Sequence, residues 1–171
     1  SVLVTFGWTD LKDKYGNTYA QVTVKSNGAE VASGDKLPIG SMIEIAEVKI
    51  LNDHYEWVGE VKVNDEFLGV GVTSFTLEED TKISLTIRAK QYPVYIEGIH
   101  TGVQVYNGNT LIANGEKISY DAILTVQATP EEYYDLQFVS VNGIQIKGAE
   151  TGGGYVVTVT GETSILVSSV S

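Results

Sequence analysis

Side chains suited to acid–base catalysis are few in this sequence. His54 and His100 are its two histidines, and His100 stands beside Thr101-Gly102 in a predicted turn. A single histidine in a turn is more often an exposed residue than a catalytic base. The sequence contains neither the Gly-x-Ser-x-Gly turn of serine hydrolases nor the His-Glu-x-x-His motif of zinc proteases. We therefore predict no catalytic residues and a protein that is not an enzyme.

Neighbouring carboxylates occur at three predicted turns, namely Glu78-Glu79-Asp80, Glu131-Glu132 and Asp65-Glu66. Successive side chains of a strand point to opposite faces of the sheet, so acids that are adjacent in sequence do not form a catalytic pair. Solvated acidic residues are also ordinary in turns. These carboxylates therefore predict no active site.

Calcium is the inorganic ion that suits this composition best, because it binds about six to eight oxygen atoms. The loops around Asp10, Asp13 and Asn52-Asp53 contain such atoms, but neither has the spacing of a known calcium-binding loop. Gly152-Gly153-Gly154 lacks the Lys-Ser/Thr pair and the helix of a phosphate-binding loop, and it predicts a flexible hairpin tip. We predict no cofactor and no metal-binding residues, with structural calcium as the alternative.

Aromatic side chains offer the best prospect of a binding surface. A flat surface that stacks a sugar or contacts a partner protein would be formed by Trp8, Trp57, Tyr55, Tyr133 and Tyr134. Tyrosine at the start of a strand commonly packs its ring on the rim of the core and leaves its hydroxyl in water. Large exposed aromatic patches are also uncommon on soluble monomers. The packing role is therefore favoured, and the stacking role stays open.

Net charge limits the classes of partner. The chain of 171 residues has 22 acidic and 11 basic residues, which give a formal charge of −11. The negative electrostatic field that this charge creates repels phosphate backbones and anionic lipids. No run of residues approaches the ~18 to 20 apolar residues that a spanning helix needs. We predict neither nucleic-acid binding nor membrane insertion.

The chain contains no cysteine. Disulfides, thiolate nucleophiles and cysteine-based zinc sites are therefore excluded. An extracellular location is compatible with this absence, because a core of this size does not need disulfides. The sequence begins at Ser1 inside a strand pattern, which we expect of a processed or excised piece of a longer polypeptide.

The elements that carry these side chains are repeated. Residues 131–146 resemble residues 53–68 at an offset of 78, which aligns Tyr133 with Tyr55, Val139 with Val61, Val141 with Val63 and Asn142 with Asn64. Each copy has a tyrosine, a strand with alternate valines, and a turn at Asn142-Gly143 or Asn64-Asp65. Asn-Gly between alternating apolar residues is a strong hairpin signal. The residues predicted to be critical for the fold are Val61, Val63, Asn64, Val139, Val141, Asn142 and Gly143.

Other turns repeat in the same order. Asn107-Gly108 follows Asn27-Gly28 at an offset of 80, and Gly115-Glu116 follows Gly34-Asp35 at 81. All offsets lie between 78 and 82, as expected if loops absorb insertions while strands keep their register. We predict two tandem β modules, residues 1–89 and 90–171.

The alternating patterns predict an all-β protein with small ubiquitin-like or sandwich-like modules. Residues 2–6 and 20–24 are predicted to be antiparallel neighbours. In Met42–Ile50 the alternation of apolar residues slips by one position, because Ile43 and Ile45 have odd numbers whereas Val48 and Ile50 have even numbers. This slip predicts either a bulge near Ala46-Glu47 or a short helical turn.

Certain motifs carry a resemblance to a known family. In the first module these are TVKSNGAEVASGDKLPIGSMIEI, VKVN and EDTKISLTI; in the second they are Ala128-Thr129-Pro130, Tyr133 or Tyr134, Val141-Asn142-Gly143 and Thr163-Ser164-Ile165. The chain resembles divergent bacterial surface repeats related to the internalin B-type repeat, which are common in large secreted proteins of the Bacteroidetes. The first module departs from this pattern, since it lacks the Ala-x-Pro and has Asp65 where the family prefers glycine.

The resemblance implies a non-enzymatic structural or adhesive module pair, a stalk, spacer or filament unit of a larger extracellular or cell-surface assembly. Its partners would be neighbouring repeats or other protein subunits. One alternative is a carbohydrate- or protein-binding module that uses the surface aromatics, with a glycan as partner. A second alternative is a capsid decoration or fibre protein of a phage, located on the virion.

Overall fold

The structure is a computed structural model that describes residues 1–148 and 154–171. Every regular element in these ranges is a β-strand, so the predicted all-β class is confirmed. The described residues contain no helix that could span a membrane. The hairpin tip predicted at Gly152-Gly153-Gly154 lies mostly outside them.

The chain divides into two compact units, Ser1–Ala89 (unit 1) and Lys90–Ser171 (unit 2). The repeat of the sequence restarts at this same point. The strands of unit 1 are β1 (Val2–Phe6), β2 (Ala20–Ser26), β3 (Ala29–Val31), β4 (Lys36–Leu37), β5 (Met42–Ile50), β6 (Tyr55–Val63), β7 (Glu66–Phe67), β8 (Ser74–Thr76) and β9 (Thr81–Ala89).

Unit 2 repeats this series. Its strands within the described residues are β10 (Gln91–Ile99), β11 (Thr101–Asn107), β12 (Thr110–Leu111), β13 (Glu116–Ser119), β14 (Ile123–Pro130), β15 (Asp135–Val141), β16 (Ile144–Ile146), β17 (Tyr155–Thr158) and β18 (Thr163–Val170). Each strand of unit 1 thus has a counterpart nine places later.

The strand order within the sheets is the same in both units. Unit 1 has a five-stranded sheet, β4-β1-β9-β6-β7, and a four-stranded sheet, β3-β2-β5-β8. Unit 2 has β13-β10-β18-β15-β16 and β12-β11-β14-β17. Each core draws buried residues from both sheets of its unit, as in a β-sandwich. Of the two arrangements expected, the units are therefore sandwich-like.

Alternate residues of the strands supply the two cores. The most deeply buried large side chains include Val4, Ile43, Val61, Leu77 and Ile83 in unit 1, and Val94, Val105, Leu124, Val126, Val139 and Ile165 in unit 2. Each such burial contributes about 1.5–3 kcal/mol relative to exposure in water. Val63 and Val141 are half-buried at the ends of their strands.

The predicted pairing of the first two strands is wrong. β1 pairs with β4 and, in parallel, with β9, whereas β2 pairs with β3 and β5 in the other sheet. Residues 7–19 carry the chain from one sheet to the other, and a bridge between Lys12 and Thr18 folds this connection on itself. Alternation predicts which face of a strand is buried, but it does not identify the neighbouring strand.

The bulge predicted near Ala46-Glu47 is confirmed. Val24 pairs with Ile45 and Thr23 pairs with Glu47, so Ala46 is the extra residue. The helical turn does not form, because β5 continues through this position. The bulge turns the later apolar residues of β5 back towards the core.

The two hairpin turns predicted from Asn142-Gly143 and Asn64-Asp65 are confirmed. Asn142 and Gly143 have φ of 50° and 82°, and Asn64 and Asp65 have φ of 50° and 67°. Two consecutive residues with positive φ are typical of the type I′ turn, whose twist matches that of the paired strands. By contrast, the turn aligned with Asn27-Gly28 is formed in unit 2 by Gly108 and Asn109, so the offset there is 81 rather than 80.

Gly143→Val tests the requirement for positive φ. An added Cβ at Gly143 would meet no atom within 4 Å, so the cost is that of the backbone conformation alone. We expect unit 2 to lose about 2 kcal/mol of unfolding free energy, because a β-branched residue rarely adopts this φ. Urea unfolding followed through the amides of β15 and β16 measures the loss. An unchanged unfolding midpoint would contradict the turn.

Candidate functional site

The two tryptophans lie in unit 1 and pack against its own residues. The Trp8 ring stacks on Phe6, with the ring centres 4.6 Å apart and an angle of 16° between the planes. Trp57 is half-buried, and its indole N–H donates a hydrogen bond of 3.1 Å to the carbonyl oxygen of Glu60. Both tryptophans contact the core of the unit.

A stacked pair of rings occurs at the same place in each unit. Tyr55 stacks on Tyr19 with ring centres 4.1 Å apart, and Tyr134 stacks on His100 at 4.2 Å. Tyr55 and Tyr134 each donate their backbone N–H to the carbonyl three residues earlier. The counterpart of Tyr55 is therefore Tyr134 at an offset of 79, and the predicted alignment with Tyr133 is wrong. The bulge in β6 contains one more extra residue than the bulge in β15. The tyrosine and the first valine are therefore one residue further apart in unit 1 than in unit 2.

The tip of unit 2 carries the best candidate for acid–base chemistry. His100 is the single residue between β10 and β11, and its Nδ1 lies 2.9 Å from Oε2 of Glu131. Ser169 Oγ is buried without a hydrogen-bond partner in the described part of the chain, so no base contacts this hydroxyl. The pair can orient the imidazole, but no nucleophile of the described residues is hydrogen-bonded to it.

Tyr133 is the most exposed of the five predicted stacking aromatics. Its side chain is 87% exposed and its φ is 70°, an unusual value for a bulky residue. The corresponding turn of unit 1 contains no residue with positive φ. The five aromatics thus form no common platform within either unit, since three pack on neighbouring rings and Trp57 packs on the core.

Two of the side-chain oxygen atoms suggested for calcium, on Asp13 and Asn52, serve local turns. Oδ1 of Asp13 accepts the backbone N–H groups of Tyr15 and Asn17, and Oδ1 of Asn52 accepts the N–H of His54. Within residues 1–148 and 154–171, no group of three or more histidine or acidic side chains is arranged to hold a metal ion.

A surface that sequence analysis missed lies on the outer side of the four-stranded sheet of unit 2. The residues that alternate with its buried positions, and so face outward, are Gly102, Gln104, Tyr106, Leu111, Ile123, Thr125, Gln127, Thr129, Val156 and Thr158. We call this set the uncharged face, because no member is charged. Its members come from four strands and become neighbours only through the strand register.

A groove of about 290 Å³ crosses the uncharged face and is lined by Tyr106, Gly108, Asn109, Thr125 and Gln127. Tyr106 lies directly opposite Thr125 in the ladder between β11 and β14. In the described part of the chain, the side chains of Asn109, Thr125 and Gln127 make no hydrogen bond to protein. The groove therefore combines an aromatic ring with amide and hydroxyl groups that are open to a ligand.

Comparison with known proteins gives no family for this chain. The resemblance to internalin B-type repeats therefore stays a prediction. No protein-family model, no curated protein and no solved structure matches the sequence or the fold.

Proposed function

We propose that this chain is a non-enzymatic structural module pair, a stalk or spacer unit of a larger extracellular or cell-surface assembly. The observation that carries the proposal is the pairing of the first and last strands of each unit. β1 is parallel to β9 in unit 1, and β10 is parallel to β18 in unit 2. The chain therefore enters each unit at one end of this ladder and leaves at the other.

This arrangement suits a segment that is held under tension. Pulling on the two ends of a unit slides one terminal strand along the other, so the hydrogen bonds of the ladder are loaded together. Strands that are pulled apart from one end break their bonds one after another and resist less. The parallel ladder has three paired positions in unit 1 and six in unit 2, from Val94↔Thr163 to Ile99↔Ser168. We expect unit 1 to yield first.

Single-molecule force spectroscopy tests the proposal. Because the chain has no cysteine, Ser1→Cys and Ser171→Cys give unique handles for end-to-end pulling. Asp135→Cys and Val170→Cys, at paired positions of β15 and β18, give a peeling geometry as the control. We expect both end-to-end steps to need a higher force than peeling, since forced unfolding is governed by the unfolding rate along the pulled direction. End-to-end steps at or below the peeling force would contradict a tensile role.

The location is tested separately. Antibodies against this chain are expected to label intact cells that carry the parent polypeptide. Labelling only after lysis would contradict a surface location. Sedimentation of the chain with virus particles would instead support the virion alternative.

A further inference from the structure

We propose that the uncharged face of unit 2 binds a neutral saccharide chain. This inference goes beyond the structural role and does not depend on it. Sugars present hydroxyl groups that need donors and acceptors, and C–H faces that pack on aromatic rings. Tyr106, Asn109, Thr125 and Gln127 supply these groups within one groove.

The absence of charge on this face is the first argument. The chain carries 33 charged residues (22 acidic plus 11 basic), yet none of the ten residues of the uncharged face is among them. Charged side chains are the usual means of keeping an exposed sheet soluble. A face made of threonine, glutamine, tyrosine and aliphatic residues suits a ligand without charge.

The second argument is the contrast with the same face of unit 1. In both units the second strand pairs with the fifth, so the paired residues of one unit can be aligned with those of the other. The pair Tyr106↔Thr125 of unit 2 corresponds to the pair Lys25↔Glu44 of unit 1. Likewise, Gln104↔Gln127 corresponds to Thr23↔Glu47. The outward residues of unit 1 include the charged Lys25, Glu30, Glu44, Glu47 and Lys49. The fold therefore tolerates charges at these positions, and their absence from unit 2 is not a requirement of the sandwich.

The third argument is the availability of the polar groups. Thr129 donates to Oε1 of Gln104 at 3.3 Å, which orients that amide; within the described residues its Nε2 has no acceptor. The groove of 290 Å³ is close to the ~300 Å³ lower limit of ligand pockets. It lies open along the sheet, where β14 extends past it towards Pro130. This shape suits successive rings of a chain rather than an enclosed monosaccharide.

An NMR titration of the whole ¹⁵N-labelled chain tests the proposal. The probes are cellohexaose, maltohexaose and mannohexaose, which are neutral, and hexagalacturonate, which is anionic. We expect at least one neutral probe at millimolar concentration to shift the amides of Gln104, Tyr106, Thr125 and Gln127. The face of unit 1 and the anionic probe serve as internal controls, and both are expected to give no shifts.

Two variants separate binding from folding. Tyr106→Ala is expected to weaken binding at least about tenfold, equivalent to ~1.4 kcal/mol. Thr125→Glu with Gln127→Glu installs the residues that unit 1 holds at the same register, so the fold is kept while binding is lost. Glu44→Thr with Glu47→Gln in unit 1 is the matched control and should bind the probe as the parent chain does.

Three outcomes would overturn the proposal. The first is that none of the neutral hexasaccharides shifts the uncharged face. The second is that the shifts fall elsewhere, for example on Tyr133 and Tyr134 at the tip. The third is that Thr125→Glu with Gln127→Glu keeps a native spectrum and binds as before.

Discussion

Asn142→Ala is expected to lower the unfolding free energy of unit 2 by about 2 to 3 kcal/mol. The side chain holds the start of the last strand: Oδ1 accepts the N–H of Ser164 at 2.7 Å, and Nδ2 donates to the carbonyl of Glu162 at 3.2 Å. Each exposed hydrogen bond contributes roughly 0.5–1.5 kcal/mol. The positive φ at this position, which asparagine accepts readily, also costs an alanine variant about 1 kcal/mol of unfolding free energy.

The same contacts occur in unit 1, which shows that they belong to the fold. Oδ1 of Asn64 accepts the N–H of Lys82 at 2.8 Å, and Nδ2 donates to the carbonyl of Asp80 at 3.2 Å. The spacing along the chain differs between the units, but the bonded atoms are the same. Asparagine alone combines a donor, an acceptor and tolerance of positive φ.

Two further substitutions resolve the contributions. Asn142→Gly keeps the backbone conformation and loses only the side-chain hydrogen bonds. It should therefore lower the unfolding free energy of unit 2 by less than Asn142→Ala does. Asn142→Asp keeps the acceptor for the Ser164 N–H but loses the donor to the Glu162 carbonyl, so it separates the two hydrogen bonds. Because both tryptophans lie in unit 1, exchange of the amide hydrogens of β15 and β18 is the suitable measurement for unit 2. An alanine variant as stable as the parent would show that Asn142 does not hold the last strand.

Gly98→Ala is expected to destabilise unit 2 by about 3 kcal/mol, the upper end of the range for overpacking. A Cβ at Gly98 would lie 2.3 Å from the carbonyl oxygen of Thr101 and 2.9 Å from Cγ2 of Val103. The obstacle is backbone, because His100 alone links β10 to β11 and turns the chain within one residue. The strands cannot separate without disturbing the pair Gly98↔Val167.

Gly161→Ala is the matched control for Gly98→Ala. A Cβ at Gly161 would meet no atom within 4 Å, and its φ is not positive. We expect the unfolding free energy of unit 2 to change by no more than about 0.5 kcal/mol, as for ordinary surface substitutions. Equal stability of the two alanine variants, measured by urea unfolding, would contradict the close approach at Gly98.

Most of the local structure could be predicted from the sequence because its causes are local. Alternating apolar residues indicate which side of a strand is buried, and Asn142-Gly143 specifies a turn through the φ that these residues accept. The bulge at Ala46 also followed from a change of parity within one strand. None of these interpretations required knowledge of a distant residue.

The candidate surface could not be predicted in this way. Tyr106 and Thr125 are 19 positions apart (125 − 106), and they become neighbours only through the register of β11 and β14. Trp8 and Tyr55, which the sequence predicts as candidates for a stacking surface, stack instead on rings of their own unit. Their exposure depends on partners that the sequence pattern does not identify.

The β class, the turns and the order of the repeated elements could be read from the sequence, since they depend on backbone preference and on a two-residue period. The folded chain was needed to show that β1 pairs with β9 rather than β2, and that Tyr134 rather than Tyr133 matches Tyr55. It also showed which side chains share the outer face of a sheet. The physical reason is that pairing and register are set by how all the apolar faces of a unit are buried together, which no single stretch of the chain specifies.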